Sequence, residues 1–323
     1  MKPNIQKITI DENLDKIKDF IQEIIINPRQ TLKKWSEITR QTPSFKLGYI
    51  GQHLASLITG VKGTGSGARG DDLCDGTEVK SCNKIDQLDK CKNKDCGGRV
   101  LRYENVCPSC GSDRIDRRDD SKWLFSIRSE SELAQYKNLD RILLILTDYP
   151  GFNDNNFRDV RISAFEIYPK EARCKVFNKL IDNHYYNIYK PKTAKKGKAN
   201  PMNFHPFSYQ FYKCNPQLVF QCTVKDIDEP KKSEIDIECY IGPAEERTGS
   251  VLMPSNLLKA KEWAFMDFEK ISKKCKITIS EAEFARMSCQ KKSEMVKWID
   301  EEMREDLPLR EIVSIEQHST YRR

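Results

Sequence analysis

An acidic segment that ends in a lysine spans residues 70–80 and reads Gly-Asp-Asp-Leu-Cys-Asp-Gly-Thr-Glu-Val-Lys. Hydrolysis of a phosphodiester needs a metal that neutralises the phosphate, an activated water for in-line attack, and stabilisation of the leaving oxygen. Carboxylates and a lysine can organise all three. Glu78 and Lys80 are two residues apart, so in a strand they point to the same face while Val79 points into the core. The segment therefore predicts a metal-dependent hydrolytic site.

The acidic partner of this pair is one of the aspartates that precede it. An Asp-Gly dipeptide at residues 75–76 tolerates the positive φ angles of a tight hairpin, which folds the acidic doublet against the Glu-Val-Lys triplet. A two-residue loop pairs Asp71 with Lys80, whereas a three-residue loop pairs Asp72 with it, because a slip of one residue exchanges the two faces of a strand. On this reasoning Asp71, Asp72 and Asp75 all remain candidates for the metal-binding aspartate.

Four cysteines form two closely spaced pairs, Cys91 with Cys96 and Cys107 with Cys110. Four thiolates complete a tetrahedral shell and leave no open position for water, so the spacing predicts a structural zinc ribbon or knuckle. Glycines at positions 97, 98 and 111 let the backbone turn tightly around the metal. Basic residues in and after the ribbon allow two interpretations, a contribution to DNA binding or a staple for the fold: Lys92, Lys94, Arg99, Arg102, Arg114, Arg117, Arg118 and Lys122.

The remaining cysteines are predicted to have no chemistry. A nucleophilic role for Cys74 or Cys82 is disfavoured, because neither has a recognisable partner among the four histidines. Six isolated cysteines are expected to be small buried hydrophobic residues: Cys174, Cys214, Cys222, Cys239, Cys275 and Cys289.

The elements that position these residues follow from hydrophobic periodicity and from helix-capping patterns. Helices are predicted at 11–41, 46–59, 129–139 and 170–189, and strands at 77–82, 122–128, 141–148, 161–168 and 218–224. The glycine-rich residues 60–70 predict a loop. The chain is expected to be helical again from residue 255, and Trp263, Phe265, Phe268 and Trp298 supply an apolar face. Capping boxes are predicted at Ser129 with Glu132 and at Ser280 with Glu283. The order at the core is helix, strand, strand, strand, helix, strand.

An aspartate followed by Glu-x-Lys on adjoining strands of such a core resembles the PD-(D/E)xK nuclease superfamily, to which most type II restriction endonucleases belong. Residues 70–82 and the cysteine-rich insertion after them most resemble the MamI type, over about residues 46–150. The resemblance implies that Asp72 and Glu78 hold Mg²⁺, and that Lys80 orients or deprotonates water and steadies the phosphate. Asp72 is preferred because the superfamily usually places an apolar residue after the aspartate. The chain departs from the common pattern of the superfamily in two ways: it has no Pro-Asp pair, and the spacing from Asp72 to Glu78 is short.

Composition sets limits on the fold and the partners. The chain has 323 residues, 38% hydrophobic and 32% charged, which excludes a disordered protein, and no apolar run reaches the roughly 18 residues of a membrane span. The net charge of +7 suits a polyanionic partner. We expect an α/β protein in three parts: a helical N-terminal region (1–45), a restriction-endonuclease-like nuclease core (46–242) with an inserted zinc ribbon (88–121), and a helical C-terminal region for dimerisation or DNA grip (243–323).

Two other segments are candidates for DNA contact. A loop after residue 189 is lysine-rich and predicted to be exposed, where it either clamps phosphates or is a solvated linker: Lys190, Lys192, Lys195, Lys196 and Lys198. Residues 203–210 mix aromatic rings with polar groups that could reach base edges, but aromatic residues more often belong to the core.

Together these features predict a cytoplasmic prokaryotic type II restriction endonuclease that uses Mg²⁺ for catalysis and Zn²⁺ for structure. A homodimer on double-stranded DNA follows if the enzyme cuts both strands of a palindrome. The resemblance implies products with 5′-phosphate and 3′-hydroxyl ends. The alternatives are a repair or recombination nuclease of the same superfamily and a non-catalytic zinc-ribbon DNA-binding regulator.

Overall fold

A computed structural model describes residues 3–11, 14–44, 47–65 and 71–310. Predictions for residue 46, for residues 66–70 and for 311–323 lie outside the described residues. The helices are α1 (Leu14–Phe20), α2 (Asn27–Thr39), α3 (Leu47–Thr59), α4 (Glu130–Asn138), α5 (Lys175–Asn183), α6 (Lys190–Lys196), α7 (Tyr209–Lys213), α8 (Ala260–Trp263), α9 (Phe268–Cys275), α10 (Glu281–Arg286) and α11 (Cys289–Met295). π-helical turns continue α1 into α2 at Ile21–Ile26 and α5 into α6 at His184–Tyr189.

The strands form one large sheet and three small ones. They are β1 (Thr77–Asn83), β2 (Asp89–Cys91), β3 (Arg99–Val100), β4 (Ile115–Asp116), β5 (Trp123–Phe125), β6 (Arg141–Asp148), β7 (Val160–Ile167), β8 (Met202–Phe204), β9 (Gln217–Lys225), β10 (Glu234–Tyr240), β11 (Met253–Pro254) and β12 (Trp298–Ile299). The large sheet has five strands in the order β1-β6-β7-β9-β10. β1 runs parallel to β6, and every other neighbouring pair is antiparallel, so the sheet is mixed.

The second strand of the sheet, β6, is buried along its whole length. Its alternate side chains enter two different hydrophobic clusters, because successive residues of a strand point to opposite faces. Ile142 and Leu144 join a cluster with α4, α5 and the C-terminal helices. Leu143 and Ile145 join a second cluster with α1 and α3. The sheet is therefore covered on both faces, and β1 lies at one edge.

The helix α3 packs unusually close to β1. A Cβ atom at Gly51 would lie 1.9 Å from Ser81 Oγ and 3.2 Å from Ser81 Cβ, so a larger residue fits only if the serine rotates and the helix shifts slightly. The predicted helix at 46–59 and the predicted strand at 77–82 are both confirmed, within one residue at each end that is described. The absence of a side chain at Gly51 allows the helix and the strand to lie this close together.

The expected core order is found only in part. β5 is short and pairs with β8 outside the large sheet, so it is not a strand of the core sheet as the predicted order required. The lysine-rich segment after residue 189 was expected to be a loop, but residues Lys190–Lys196 form α6. Pro191 does not prevent this helix: it lies directly after the π-helical turn that joins α5 to α6, and the chain stays helical through it.

The C-terminal residues share a core with the rest of the chain. Trp263 and Phe284 belong to the same cluster as α4 and α5. The predicted apolar face is partly wrong, because Phe265 and Trp298 are about half exposed. The capping box at Ser280 forms as predicted. At the other predicted box, Ser129 caps α4 but Glu132 accepts a hydrogen bond from the N–H of residue 128.

Candidate active site

The predicted Glu-x-Lys pair lies on the edge strand β1. Lys80 Nζ donates a hydrogen bond to Glu78 Oε1, so the two side chains share one face of the strand. They remain partly accessible, with 17% of the Glu78 side chain and 23% of the Lys80 side chain exposed. Val79 points to the opposite face and is buried in the cluster with α3. The strand thus places both functional groups at an open edge of the sheet.

The structure brings Asp72 to this pair, although neither of the two predicted hairpin registers forms. The backbone N–H groups of Asp72 and Leu73 both donate to the Thr77 carbonyl at 3.1 Å, which closes the turn. The backbone of Leu73 then forms an isolated antiparallel β-bridge with Gly63. The side chain of Asp72 folds back onto β1, where its Oδ2 accepts the Val79 N–H at 2.7 Å. A side-chain hydrogen bond, and not a strand register, therefore places this aspartate.

Charges in the site act on one another. Burial raises the pKa of the Asp72 carboxyl, the nearby Glu78 carboxylate raises it further, and the Val79 N–H and Lys80 act in the opposite direction. Burial lowers the pKa of Lys80, but Glu78, Tyr136 and Asp72 together outweigh burial, so the net shift is upward. The three groups are close enough to sense each other electrostatically.

Asp75 is engaged elsewhere. Its Oδ2 accepts from Arg141 Nη2 at 2.6 Å, and the same guanidinium donates to Thr77 Oγ1 at 2.9 Å and to Glu166 Oε1 at 2.8 Å. Arg247 closes the group by donating to Glu166 Oε2 at 2.9 Å. We call Asp75, Arg141, Glu166 and Arg247 the buried ion network. Since its carboxylate is held by Arg141, Asp75 is poorly placed to bind a metal.

Two side chains of the site had not been identified from the sequence. Gln52 on α3 donates from Nε2 to Asp72 Oδ1 at 2.5 Å. Its sequence signal is a long polar side chain in a largely apolar helix. Tyr136 on α4 lies with its ring centroid 5.9 Å from Lys80 Nζ. No sequence pattern marks this tyrosine, because the contact depends on how α4 packs on the sheet.

The donor set fits a hard divalent cation. Asp72 and Glu78 offer carboxylate oxygens, which Mg²⁺ prefers, and no sulfur or imidazole ligand is among the side chains shown to contact them. Asp72 accepts one hydrogen bond on each oxygen, from an amide and a backbone N–H, so lone pairs remain for a metal. The arrangement can hold a cation beside a lysine.

The four ribbon cysteines meet as predicted. Their sulfur atoms all lie within 4.8 Å of one another. Cys91 and Cys110 are 3.6 Å apart and Cys96 and Cys107 3.7 Å apart, close to the roughly 3.8 Å edge of a tetrahedron with 2.3 Å metal–sulfur bonds. Burial raises the pKa of Cys107, but the N–H groups of Ser109 and Cys110 lower it to about 7. The cluster fits Zn²⁺.

Glycine is needed at the positions flanking this cluster. A Cβ at Gly98 would lie 3.0 Å from the Cys107 sulfur and 3.1 Å from the Cys96 sulfur. Gly97 and Gly111 have φ angles of 57° and 70°, which favour glycine. The predicted role of these glycines is confirmed.

Two of the ribbon's arginines, Arg102 and Arg117, serve its own structure. Arg117 donates to the fully buried Asp89 at 2.9 Å and to the Glu104 carbonyl at 2.8 Å. Arg102 also contacts Asp89 at 3.2 Å and lies 5.1 Å above the Phe152 ring. Among the other arginines of the ribbon, Arg118 is 43% exposed.

The remaining candidates are mainly structural. In residues 203–210 the aromatic side chains Phe204 and Tyr209 are buried, which confirms the core interpretation. Cys174, Cys214 and Cys222 are buried as predicted, whereas Cys239, Cys275 and Cys289 are half-buried. Burial raises the pKa of Cys82 to about 12, which disfavours a nucleophilic thiolate.

Comparison with known proteins gives two matches. A family model described as "MamI restriction endonuclease" matches residues 34–256. The "Type II restriction enzyme MamI" of Microbacterium ammoniaphilum is 32% identical over 83 residues, which is 26% of this chain and 27% of that enzyme. The aligned part thus spans about a quarter of the relative. No solved structure matches the chain. None of the helices in the described residues is long and apolar enough to cross a membrane.

Proposed function

The chain belongs to the MamI restriction endonuclease family, and from this premise we propose that it is a type II restriction endonuclease of the PD-(D/E)xK kind. It makes sequence-specific double-strand breaks in DNA by Mg²⁺-dependent hydrolysis and leaves 5′-phosphate and 3′-hydroxyl ends. The observation that carries the proposal is the meeting of Asp72, Glu78 and Lys80 at the open edge of β1. This edge lies inside the region that the family model matches.

Each residue has a role that its position supports. Asp72 and Glu78 would hold Mg²⁺, which supplies charge neutralisation at the phosphate and a more acidic water. Lys80, as an ammonium, would orient the attacking water and steady the phosphate. Gln52 holds the Asp72 carboxylate in place through its amide. The Tyr136 ring lies at cation–π distance from Lys80 and favours its charged form.

Cleavage of plasmid DNA tests the proposal. We expect discrete fragments in Mg²⁺, with ends that map to one sequence, and loss of cleavage in Glu78→Ala and Lys80→Ala. A smear of products would favour a repair or recombination nuclease. Absence of cleavage by the wild type would contradict the assignment and favour a non-catalytic DNA-binding regulator. Full Mg²⁺-dependent cleavage by either variant would contradict the assignment of Glu78 or Lys80 to the active site.

The ribbon is proposed to hold one structural Zn²⁺ through Cys91, Cys96, Cys107 and Cys110, because four sulfurs fill a tetrahedral shell. Elemental analysis of the purified protein should give one zinc per chain, and Cys107→Ser should lower it. Full zinc content in that variant would argue against this ligand set.

The acting form is proposed to be a homodimer in the cytoplasm. One active site cuts one DNA strand. Two copies of the chain related by a two-fold axis therefore match the two strands of a palindromic DNA site. The C-terminal region from residue 243 is the proposed dimerisation or DNA-holding region. Sedimentation of the protein with and without a cleavage-site duplex would test the dimer, and a single chain bound per site would contradict it.

A further inference from the structure

A long part of the chain carries only positive charge. Residues 183–225 contain seven lysines and no aspartate or glutamate. Three of these lysines have partners: Lys190 pairs with Glu130 at 3.3 Å, Lys225 pairs with Asp236 at 3.2 Å, and Lys213 is buried against backbone carbonyls. The other four are exposed, and within the described residues no carboxylate lies at salt-bridge distance from them: Lys192, Lys195, Lys196 and Lys198.

These four lysines are presented by a rigid element. α5, the π-helical turn and α6 form one helical run from Lys175 to Lys196. The run ends at Gly197, which has a left-handed φ of 71° and closes the helix C-terminus. Helical spacing, and not a flexible loop, therefore sets the distances between Lys192, Lys195 and Lys196. We call these residues and Lys198 the lysine helix end.

The lysine helix end lies on the same side of the sheet as the proposed active site. Lys80 Nζ is 5.9 Å from the ring of Tyr136 on α4. Six residues before Tyr136, about 9 Å along the helix, Glu130 forms the ion pair that joins α4 to the start of α6. A second ion pair, Lys137 with Asp182 at 2.8 Å, joins α4 to α5. Lys192 and Lys196 lie two and six residues beyond Lys190 on α6. The path from Lys80 along α4 and α6 to these lysines is therefore on the order of 20 Å, the length of a few nucleotides along one DNA strand.

We propose that the lysine helix end is a phosphate clamp that holds the DNA backbone a few nucleotides from the bond that is cut. The proposal rests on the proposed function. Lysine is a point charge without the planar fork that reads a base, so these contacts add affinity without sequence information. Neutralised phosphates release counterions, so the clamp makes binding weaken as salt rises.

Binding of a labelled duplex at several salt concentrations tests the clamp, in buffer without added Mg²⁺ so that no strand is cut. The test variant carries Lys192→Gln, Lys195→Gln, Lys196→Gln and Lys198→Gln. The matched control removes the same charge from exposed lysines elsewhere: Lys231→Gln, Lys232→Gln, Lys261→Gln and Lys273→Gln. Lys273 lies in the last turn of α9, as Lys195 and Lys196 do in α6. The control therefore also loses a lysine that stabilises a helix C-terminus.

For the test variant we expect the slope of log affinity against log salt to become shallower by about 0.9 for each lost phosphate contact. The control should keep the wild-type slope. An unchanged slope in a folded test variant, or an equal change in both variants, would overturn the clamp. The proposed function would be overturned, and the clamp would stand, if the wild type never cuts DNA in Mg²⁺ but binds it with a salt dependence that the test variant reduces. Wild-type protein that binds no DNA would overturn both.

Discussion

Asp72 and Asp75 lie three residues apart in one turn, but their carboxylates are held in opposite ways. Asp75 is paired with the buried guanidinium of Arg141 at 2.6 Å. Asp72 accepts hydrogen bonds from a neutral amide and a backbone N–H. The comparison shows that a carboxylate used by the fold is matched by an opposite charge, whereas one available for chemistry is matched by neutral donors that leave it able to bind a cation.

The two glutamates of these groups differ in burial and not in the charge of their partners, since each is paired with a cation. Glu166 is fully buried and contacts Arg141, Arg247 and the Tyr168 hydroxyl. Glu78 is partly exposed and is paired with Lys80, a long side chain that can move when a metal or phosphate arrives. The buried ion network therefore fixes the turn, and the open edge of β1 keeps its charged groups accessible.

Asp72→Asn is the sharpest test of this contrast and should have the largest effect. The substitution keeps the shape of the side chain but removes the charge, so we expect the cleavage rate in Mg²⁺ to fall about a thousandfold, since charge stabilisation by a metal is worth several kcal/mol. The melting temperature should change little. Asp75→Asn is the matched control: it should lower stability and leave cleavage by the folded protein close to wild type. If Asp75→Asn abolishes cleavage and Asp72→Asn leaves it close to wild type, Asp75 is the metal ligand.

Arg141→Met tests the buried ion network and should have the second largest effect. Removing the guanidinium leaves Asp75 and Glu166 as buried charges that have lost this partner, which costs about 3–5 kcal/mol of unfolding free energy in comparable cases. Urea unfolding measures the loss. Arg158→Met is the control, because Arg158 pairs with Asp226 on the surface and is 70% exposed, so its removal should change stability little. Equal losses in both variants would contradict the distinction.

The sequence predicted the parts of this comparison that depend on local spacing. Glu78 and Lys80 share a face because strand geometry has a period of two residues, and the ribbon cysteines meet because their spacing is that of a zinc ligand set. The choice among the aspartates could not be made from spacing, because it depends on Arg141, which is 66 residues from Asp75. Gln52 and Tyr136 were missed for the same reason, since helix packing places them.

The lysine-rich segment shows a different limit of sequence reasoning. Its proline and glycine favoured a loop, but the helix that precedes it supplies hydrogen-bond acceptors, so the chain continues as α6 until Gly197. Propensity is a weak signal when an adjoining helix has already nucleated. The error matters because a helix presents these lysines at fixed distances.

Gly51→Ala tests whether the close contact of α3 with β1 sets the geometry of the open edge. An added Cβ would lie 1.9 Å from Ser81 Oγ, which can rotate away, and 3.2 Å from Ser81 Cβ, which cannot, so the helix must shift by a few tenths of an ångström. We expect a loss of about 1–3 kcal/mol in stability. Because Gln52 moves with the helix, cleavage by the folded protein should fall about tenfold or more. Gly48→Ala is the control in the same helix, where an added Cβ meets nothing within 4 Å. Normal cleavage in folded Gly51→Ala would show that Asp72 does not depend on Gln52.

Acid unfolding gives the smallest expected effect and tests whether Glu166 is charged in the folded protein. Burial alone raises the pKa of Glu166, but Arg141 and Arg247 outweigh it and lower the pKa below the ordinary value. A lowered folded-state pKa means that the unfolded chain takes up the proton first, so this stabilisation is present above about pH 4.3 and is lost as the pH falls further. Glu166→Gln should therefore lose stability less steeply than the wild type between about pH 4.3 and 3. Glu234→Gln, on the exposed edge strand, should follow the wild-type curve. If Glu166→Gln also follows the wild-type curve, Glu166 is not ionised in the folded protein. Charge pairing then cannot be what distinguishes the buried ion network from the open edge of β1.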